Sequence, residues 1–410
     1  MEVALALLFF LAIVGAGSVA LYVVATKAPP LYTDPDAVPS SAAAAPTERY
    51  SSTVEEARQR ARALMVQEEQ LPSLSVAVAK DGEIVWAEGF GYRDAKRLKQ
   101  VTPRTRFRAG SVSKTLTAAA VALLYDRKRV DLDAPVQTYV PAYPKKQWTV
   151  TTRQLLGDVA GVHRLRGERG NNDQVPRGHC RSVDDALKTF AYEPLAFEPG
   201  TQYRYSTSGW ILLSAVVEGV AGEPFSTFMS REVFTPLRMD RTALEGTPLR
   251  RSGRQTGTDD DPDTAEFDES RAEERENDER NPPVMDYSCT VGGGAFLSTP
   301  SDLVRLGSAM LNPGLLKAET IALFQTPLRL TSGTSTGFAL GWKVDSIALA
   351  GAQVRVIRHR ASLIAGAVSL YLFPDRGLVI AVTSNVPNTV AVEAFALQVA
   401  EAFTKPAKMP

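Results

Sequence analysis

Histidine and cysteine are scarce in this 410-residue chain, at three and two residues, and there is no formal net charge, 46 basic residues being offset by 46 acidic ones. Neither Cys-x-x-Cys nor His-Glu-x-x-His occurs, so the sequence offers no recognisable zinc site, and any chemistry is expected to run without a metal or other cofactor. The charge balance removes the electrostatic argument for nucleic acid, or an acidic membrane surface, as a partner. Nothing in the sequence brings Cys180 and Cys289 together, so a disulfide between them stays open even in an oxidising compartment. No internal repeat is evident. What the chain does have is length and apolar content enough for a sizeable globular core.

From Val3 to Ala25 the chain is apolar without a single charge, long enough to cross a bilayer as one helix. Residues 1–27 therefore read as a transmembrane anchor or a signal segment, although Glu2 and Lys27 orient it poorly. Either fate exports the bulk of the chain. The expected arrangement is a membrane-anchored protein with its main domain outside the cytoplasm, in a bacterial periplasm, with secretion after cleavage as the alternative. Residues 28–50, including the Pro-, Ala- and Ser-rich stretch Pro29–Pro46, read as a flexible linker. Residues 51–405 then form the principal domain.

Within it, a helical stretch near Val54–Glu69 leads into Leu74–Val78, Asp81-Gly82 and Ile84–Trp86. Asp-Gly between two β-prone runs is a strong hairpin signal. The run from Ser111 to about Arg127 is apolar on every side, the mark of a fully buried helix. Up to about Arg241 helical patterns such as Val183–Phe190 and Gly209–Val220 alternate with Pro and Gly breaks, which predicts a mainly helical subdomain. Residues 247–283 are acidic and nearly devoid of large apolar groups, and read as a solvated insertion. Strand-like runs return at Val354–Ile357, Val368–Phe373 and Leu378–Val382, followed by a helix over Val390–Phe403. The fold class is α/β in the broad α+β sense: an antiparallel sheet built from both ends of the chain and flanked by helices.

Chemistry concentrates at Ser111-Val112-Ser113-Lys114. Three residues apart on a helix, serine and lysine share a face, so the amine can take the hydroxyl's proton, while the helix N-terminus favours an oxyanion nearby. About one such spacing is expected by chance in a chain of this composition, so the context decides. Three further pieces supply it: Tyr203-Arg204-Tyr205-Ser206-Thr207 after Pro199-Gly200; Gly292-Gly293-Gly294 before Ala295-Phe296-Leu297-Ser298; and His359-Arg360-Ala361-Ser362 at the end of a strand-like run.

In this order and spacing, over about residues 55–400, the four pieces resemble the active-site serine penicillin-binding proteins and β-lactamases. The closer likeness is to the class C-like branch that includes esterases, D-amino-acid peptidases and the mitochondrial β-lactamase-like protease. The resemblance implies a β-lactamase-like fold. It casts Ser111 as nucleophile, Lys114 as proton acceptor and Tyr205 as the tyrosine of the Y-x-N motif, a proton relay. Thr207 stands in place of that motif's asparagine, so a hydroxyl would do part of the amide's work. His359 takes the place of the lysine of K-T-G, to tune charge or hold a substrate carboxylate. Arg360 and Ala361 complete the substrate-binding strand, the Ala361 methyl crowding an edge where glycine is usual. The backbone N–H groups of Ser111 and Ser362 would form the oxyanion hole. Asp158 and Ala160, in Leu155-Leu156-Gly157-Asp158-Val159-Ala160-Gly161, replace the His and Ser of an L-L-x-H-x-S-G stretch and read as structural drift. The three glycines read as close packing beneath the site, and His163 and His179 as surface residues.

The expected function is a serine hydrolase that forms an acyl-enzyme on Ser111 and hydrolyses a peptide, amide or ester bond. Alternatives are a true β-lactamase or a D,D-peptidase acting on cell-wall peptides. From another class comes a membrane-associated, self-assembling scaffold with a weak site. Partners are a small-molecule or peptide substrate, the membrane through the N-terminal segment, and potentially further copies of the chain.

Overall fold

The Asp81-Gly82 pair sets the architecture, because both residues adopt positive φ, 52° and 89°, and their turn joins the first two long strands as a tight hairpin. The computed structural model describes residues 31–68, 71–94, 98–163, 179–245, 249–251, 254–256, 286–363 and 366–404. Its main sheet contains β1 (Ser40–Ala42), β2 (Ser73–Lys80), β3 (Glu83–Asp94), β4 (Lys343–Leu349), β5 (Ala352–Leu363), β6 (Gly366–Phe373) and β7 (Leu378–Ser384). The order is β1-β3-β2-β7-β6-β5-β4, all neighbours antiparallel, with Lys99–Gln100 added to β3. The seam between chain ends is the β7–β2 pair, in which Ala381 lies opposite Ala77. The sheet is thus built from both termini, as the sequence pattern predicts.

Helices cover both faces, which is why β6 and β7 are buried throughout rather than alternating. Leu378, Ile380 and Val382 pack with α1 (Ser51–Gln67) and, at the chain's end, a helix over Thr389–Thr404. Val379 and Ala381 face the larger cluster that holds α2 (Ser113–Asp126), α3 (Thr207–Ala221) and α4 (Pro300–Ala309); the Thr389–Thr404 helix is α5. Every residue of α2 from Ser113 to Leu124 is buried, in keeping with its all-round apolar sequence. The candidate nucleophile Ser111 and candidate base Lys114 thus lie at the start of a buried central helix.

Three expectations change. The Pro-rich stretch expected as a flexible linker joins the fold from Leu31 onward: Pro35–Ala37 forms a 3-10 turn, β1 pairs with β3, and Tyr32 and Val38 are buried in the α1–α5 cluster. Two apolar anchors in a polar stretch suffice to dock it. The start of the acidic insertion carries a small hairpin, Leu249–Arg251 with Arg254–Thr256; its acidic run, Asp259 to Arg280, lies outside the described residues. So does the apolar segment Val3–Ala25. Among the described residues no single helix is long and apolar enough to cross a membrane. Third, Cys180 and Cys289 form a disulfide across 109 residues, their Cα atoms 4.9 Å apart.

That bond ties the start of the short helix Val183–Lys188, which packs on α3, to the turn Ser288–Gly293. Replacing both cysteines by serine is expected to destabilise the protein by about 2–5 kcal/mol in urea denaturation. Non-reducing peptide mapping should recover the two cysteines on one cross-linked peptide.

Candidate active site

Ser111 lies on a 3-10 turn, Gly110–Val112, that runs directly into α2. The turn is possible because Gly110 has φ 49°, and a side chain there would meet Leu363 of β5 at 2.7 Å. Glycine thus lets the nucleophile's turn lie flush against the end of β5. β4 pairs with β5 only as far as Lys343 opposite Arg358. Among the described strands, residues 359–363 are therefore paired on the β6 side alone, and their other edge runs beside the Ser111 turn. Ser111 itself is half-buried, open enough to be reached.

Lys114, one turn into the helix, is fully buried. A buried amine requires acceptors. Its Nζ donates to the Gly293 carbonyl at 2.7 Å and to Thr207 Oγ1 at 3.4 Å, and lies 4.7 Å from the centroid of the Tyr205 ring. The aromatic face adds a cation–π contact in a desolvated setting. Thr207 Oγ1 thus lies at the amine, where the resemblance places the motif's asparagine, but the shorter contact goes to a main-chain carbonyl that the sequence reading treats only as packing. Gly292 repeats the device: its carbonyl accepts from Thr117 Oγ1 at 2.8 Å, three residues along the same face of α2. Both glycines are required by close approach. A Cβ on Gly292 would meet Thr117 and Ser214 within 2.5 Å, and one on Gly293 would meet Thr207 Cγ2 at 2.8 Å.

Tyr205 and Thr207 flank Ser206, the N-cap of α3. The Tyr205 ring is 6.4 Å from that of His359. His359 is buried, and its pKa is pushed down to about 3, first by desolvation and then by the positive charge of Lys114. The imidazole is therefore neutral at physiological pH. Its Nδ1 lies 3.2 Å from the Arg360 carbonyl, which selects the tautomer with the proton on Nδ1 and Nε2 as acceptor. The expected capture of a substrate carboxylate by a charged histidine is not supported.

Strand alternation corrects two further assignments. Arg360 is exposed on the opposite face of β5, where its guanidinium binds Glu393 of α5 at 2.6 Å; it is not in the site. Ala361 is buried in the apolar cluster with Val112 and Leu116, so its methyl fills core space instead of crowding a substrate. The Ser362 side chain is exposed like that of Arg360, leaving only its backbone to contribute. His179 is exposed and paired with Asp286 at 2.7 Å, while His163 is half-buried, its carbonyl accepting from Ser206 Oγ at 3.4 Å. Asp158, read as drift, is buried against α3.

A serine on a tight turn, a buried lysine one helical turn on, and a tyrosine facing that lysine, all set against an antiparallel sheet clad in helices, define the fold and site shared by serine β-lactamases and penicillin-binding proteins. The chain belongs to the beta-lactamase family, whose model matches residues 54–402. It is 28% identical to the mouse (Mus musculus) "Serine beta-lactamase-like protein LACTB, mitochondrial", covering 82% of this chain and 77% of that protein. To the "Putative penicillin-binding protein PbpX" of Bacillus subtilis it is 25% identical, over 65% of this chain and 61% of the other. Among solved structures it is similar in fold to SurE, with a TM-score of 0.68 at 22% identity over 88% and 78% of the two chains. EstCE1, described as a hydrolase with promiscuous acyltransferase activity, gives 0.65 at 20% identity over 87% and 98%.

Two outcomes follow from this geometry. Gly293→Ala forces its methyl onto Thr207, which should destabilise by about 1–3 kcal/mol and reduce turnover, whereas Gly314→Ala, with nothing within 4 Å, serves as a near-neutral control. Between about pH 6.5 and 3 the unfolded chain binds a proton at His359 and the folded protein does not. This contribution to stability is complete above pH 6.5 and is lost as pH falls toward 3. Urea midpoints across that range should decline more steeply for wild type than for His359→Gln.

Proposed function

We propose that this protein is a serine hydrolase that forms an acyl-enzyme on Ser111 and cleaves an ester, amide or peptide bond. The observation that carries this reading is the fully buried Lys114 amine, gathered with Thr207, Gly293 and the face of Tyr205 one turn from a reachable serine. With Lys114 Nζ in its unprotonated form at the start of the cycle, Ser111 Oγ adds to the substrate carbonyl as its proton passes to that amine. The N–H groups of Ser111 and Ser362 hold the oxyanion. Collapse breaks the bond to the leaving amine or alcohol, which takes a proton by way of Tyr205, and water added to the acyl-enzyme releases the acid. The neutral His359 and the pairing of Arg358 and Arg360 with Glu393 leave the Ser111 end of β5, among the described residues, without an available cation for the carboxylate that β-lactam antibiotics carry, which favours substrates uncharged at that position. The disulfide supports a domain working in an oxidising compartment, consistent with residues 1–27 as an anchor that leaves the domain outside the cytoplasm. A protein of similar fold, a penicillin-binding protein homologue from Pyrococcus abyssi, is octameric, and self-association of this chain is a companion proposal.

The test uses the chain lacking residues 1–30, a fluorescent penicillin, activated esters and D- and L-aminoacyl anilides, with adducts followed by intact mass spectrometry. An adduct on Ser111 is expected with at least one ester or anilide. Ser111→Ala should abolish it and Lys114→Ala should slow it by about 10²–10⁴-fold. A folded protein that gives neither adduct nor product would overturn the reading.

A further inference from the structure

Asp158 is buried, at 8% exposure, in a loop that follows the short helix Thr152–Leu156. Its backbone is left-handed, with φ 55°, a conformation that asparagine, aspartate and glycine tolerate best. One carboxylate oxygen, Oδ1, accepts from two donors: the backbone N–H of Ser206 at 3.3 Å and the indole Nε1–H of Trp210 at 3.2 Å. The Asp158 carbonyl accepts from Arg204 N at 2.8 Å. One residue therefore grips the chain on both sides of Tyr205. The Ser206 N–H belongs to the peptide that follows Tyr205, and Ser206 is the N-cap of α3, which otherwise makes no side-chain cap bond. Asp158 supplies from another segment an acceptor that the helix start needs, and its negative charge suits a helix N-terminus.

We infer that Asp158 is a positioning residue for the reaction: its carboxylate fixes the Tyr205–Ser206 peptide and so places the Tyr205 phenol and Thr207 hydroxyl against Lys114. Ser206 N–H and Trp210 Nε1–H are one turn apart at the start of α3, so a single oxygen aligns both the cap and the first buried aromatic of the helix. The inference rests on the reading of Tyr205 as a proton carrier. It assigns a function to a position that departs from the sequence pattern expected there.

The positive φ makes a clean deletion available, because Asp158→Gly removes the carboxylate without straining the backbone. Asp158→Asn keeps an oxygen able to accept both bonds. With the substrate on which wild type shows Ser111-dependent turnover, Asp158→Gly is expected to lower kcat about 10–100-fold with KM changed less than threefold, and Asp158→Asn to stay within about threefold of wild type. In a double-mutant cycle the Asp158→Gly loss should largely vanish in a Tyr205→Phe background, since a residue acting through Tyr205 has nothing left to place. Equal losses in both backgrounds, or a tenfold loss in a well-folded Asp158→Asn, would overturn the assignment. Should Asp158→Gly fail to fold, Asp158→Glu takes its place. It retains the charge but displaces the oxygen, and must fall below Asp158→Asn in kcat for the inference to stand. Absence of any Ser111-dependent turnover in wild type is a separate outcome that removes the functional reading itself.

Discussion

The active region is organised around one electrostatic constraint: an amine that is fully buried on the central helix must be surrounded by acceptors. Transfer of an unpaired ammonium from water into an apolar core is prohibitive, so the folded chain is obliged to bring a carbonyl, a hydroxyl and an aromatic face to Lys114. They come from two separate parts of the sequence. Gly293 brings its carbonyl on the turn Ser288–Gly293, while Thr207 and Tyr205 arrive at the start of α3. The constraint explains why residues 292 and 293 lack side chains, since a Cβ on Gly292 would meet Thr117 of α2 and Ser214 of α3, and one on Gly293 would meet Thr207 and Trp210 of α3. It also explains the neutral imidazole nearby, because a second cation in the same desolvated region would add like-charge repulsion to the cost of burial.

The distribution of cations then shapes what the site can recognise. Arg358 and Arg360 on β5 both bind Glu393, on the face away from Ser111. Strand alternation thus sends guanidinium groups that adjoin the site in sequence to the opposite side of the sheet. The side of β5 that accompanies the nucleophile offers a neutral histidine and a buried methyl. Under the proposed hydrolase reading, such a surface favours recognition by shape and by backbone hydrogen bonds more than by charge, since Lys114 already has its own acceptors.

Much of this was legible in the sequence where the governing interaction is local. The Asp81-Gly82 hairpin, the all-round apolar α2 and the Ser111/Lys114 spacing depend on neighbours within one turn or one strand pair, and each is present. The features that were misread depend on tertiary context. The resemblance places Arg360 in the substrate-binding strand, but adjacent residues on a strand face opposite ways, and its guanidinium binds Glu393 instead. The stretch after Pro29 was read from composition as a tether, yet Tyr32 and Val38 find a prepared apolar surface between α1 and β3. The pairing of Cys180 with Cys289 spans 109 residues, and no periodicity reports contacts at that range. Asp158 carries a signal, a charged residue in place of the motif's histidine beside a second departure at Ala160, but its contacts with the start of α3 are long-range.

Backbone strain around the site points the same way. Asp158 and Val291 both hold positive φ, 55° and 39°. For the β-branched Val291 this is a costly conformation, which persists only where surrounding contacts over-determine it. Val291 sits one residue before the pair whose carbonyls accept from Thr117 and Lys114, and two residues after a disulfide-bonded Cys289. The covalent tie holds one end of the strained turn, and the two side-chain bonds from α2 hold the other. Asp158, on the far side of α3, is pinned by the bonds to Ser206 and Trp210. Tyr205, Thr207 and Gly293 are therefore located by interactions that each sit one step away from the amine they surround. That arrangement holds the candidate site together although its parts come from separate segments of the chain.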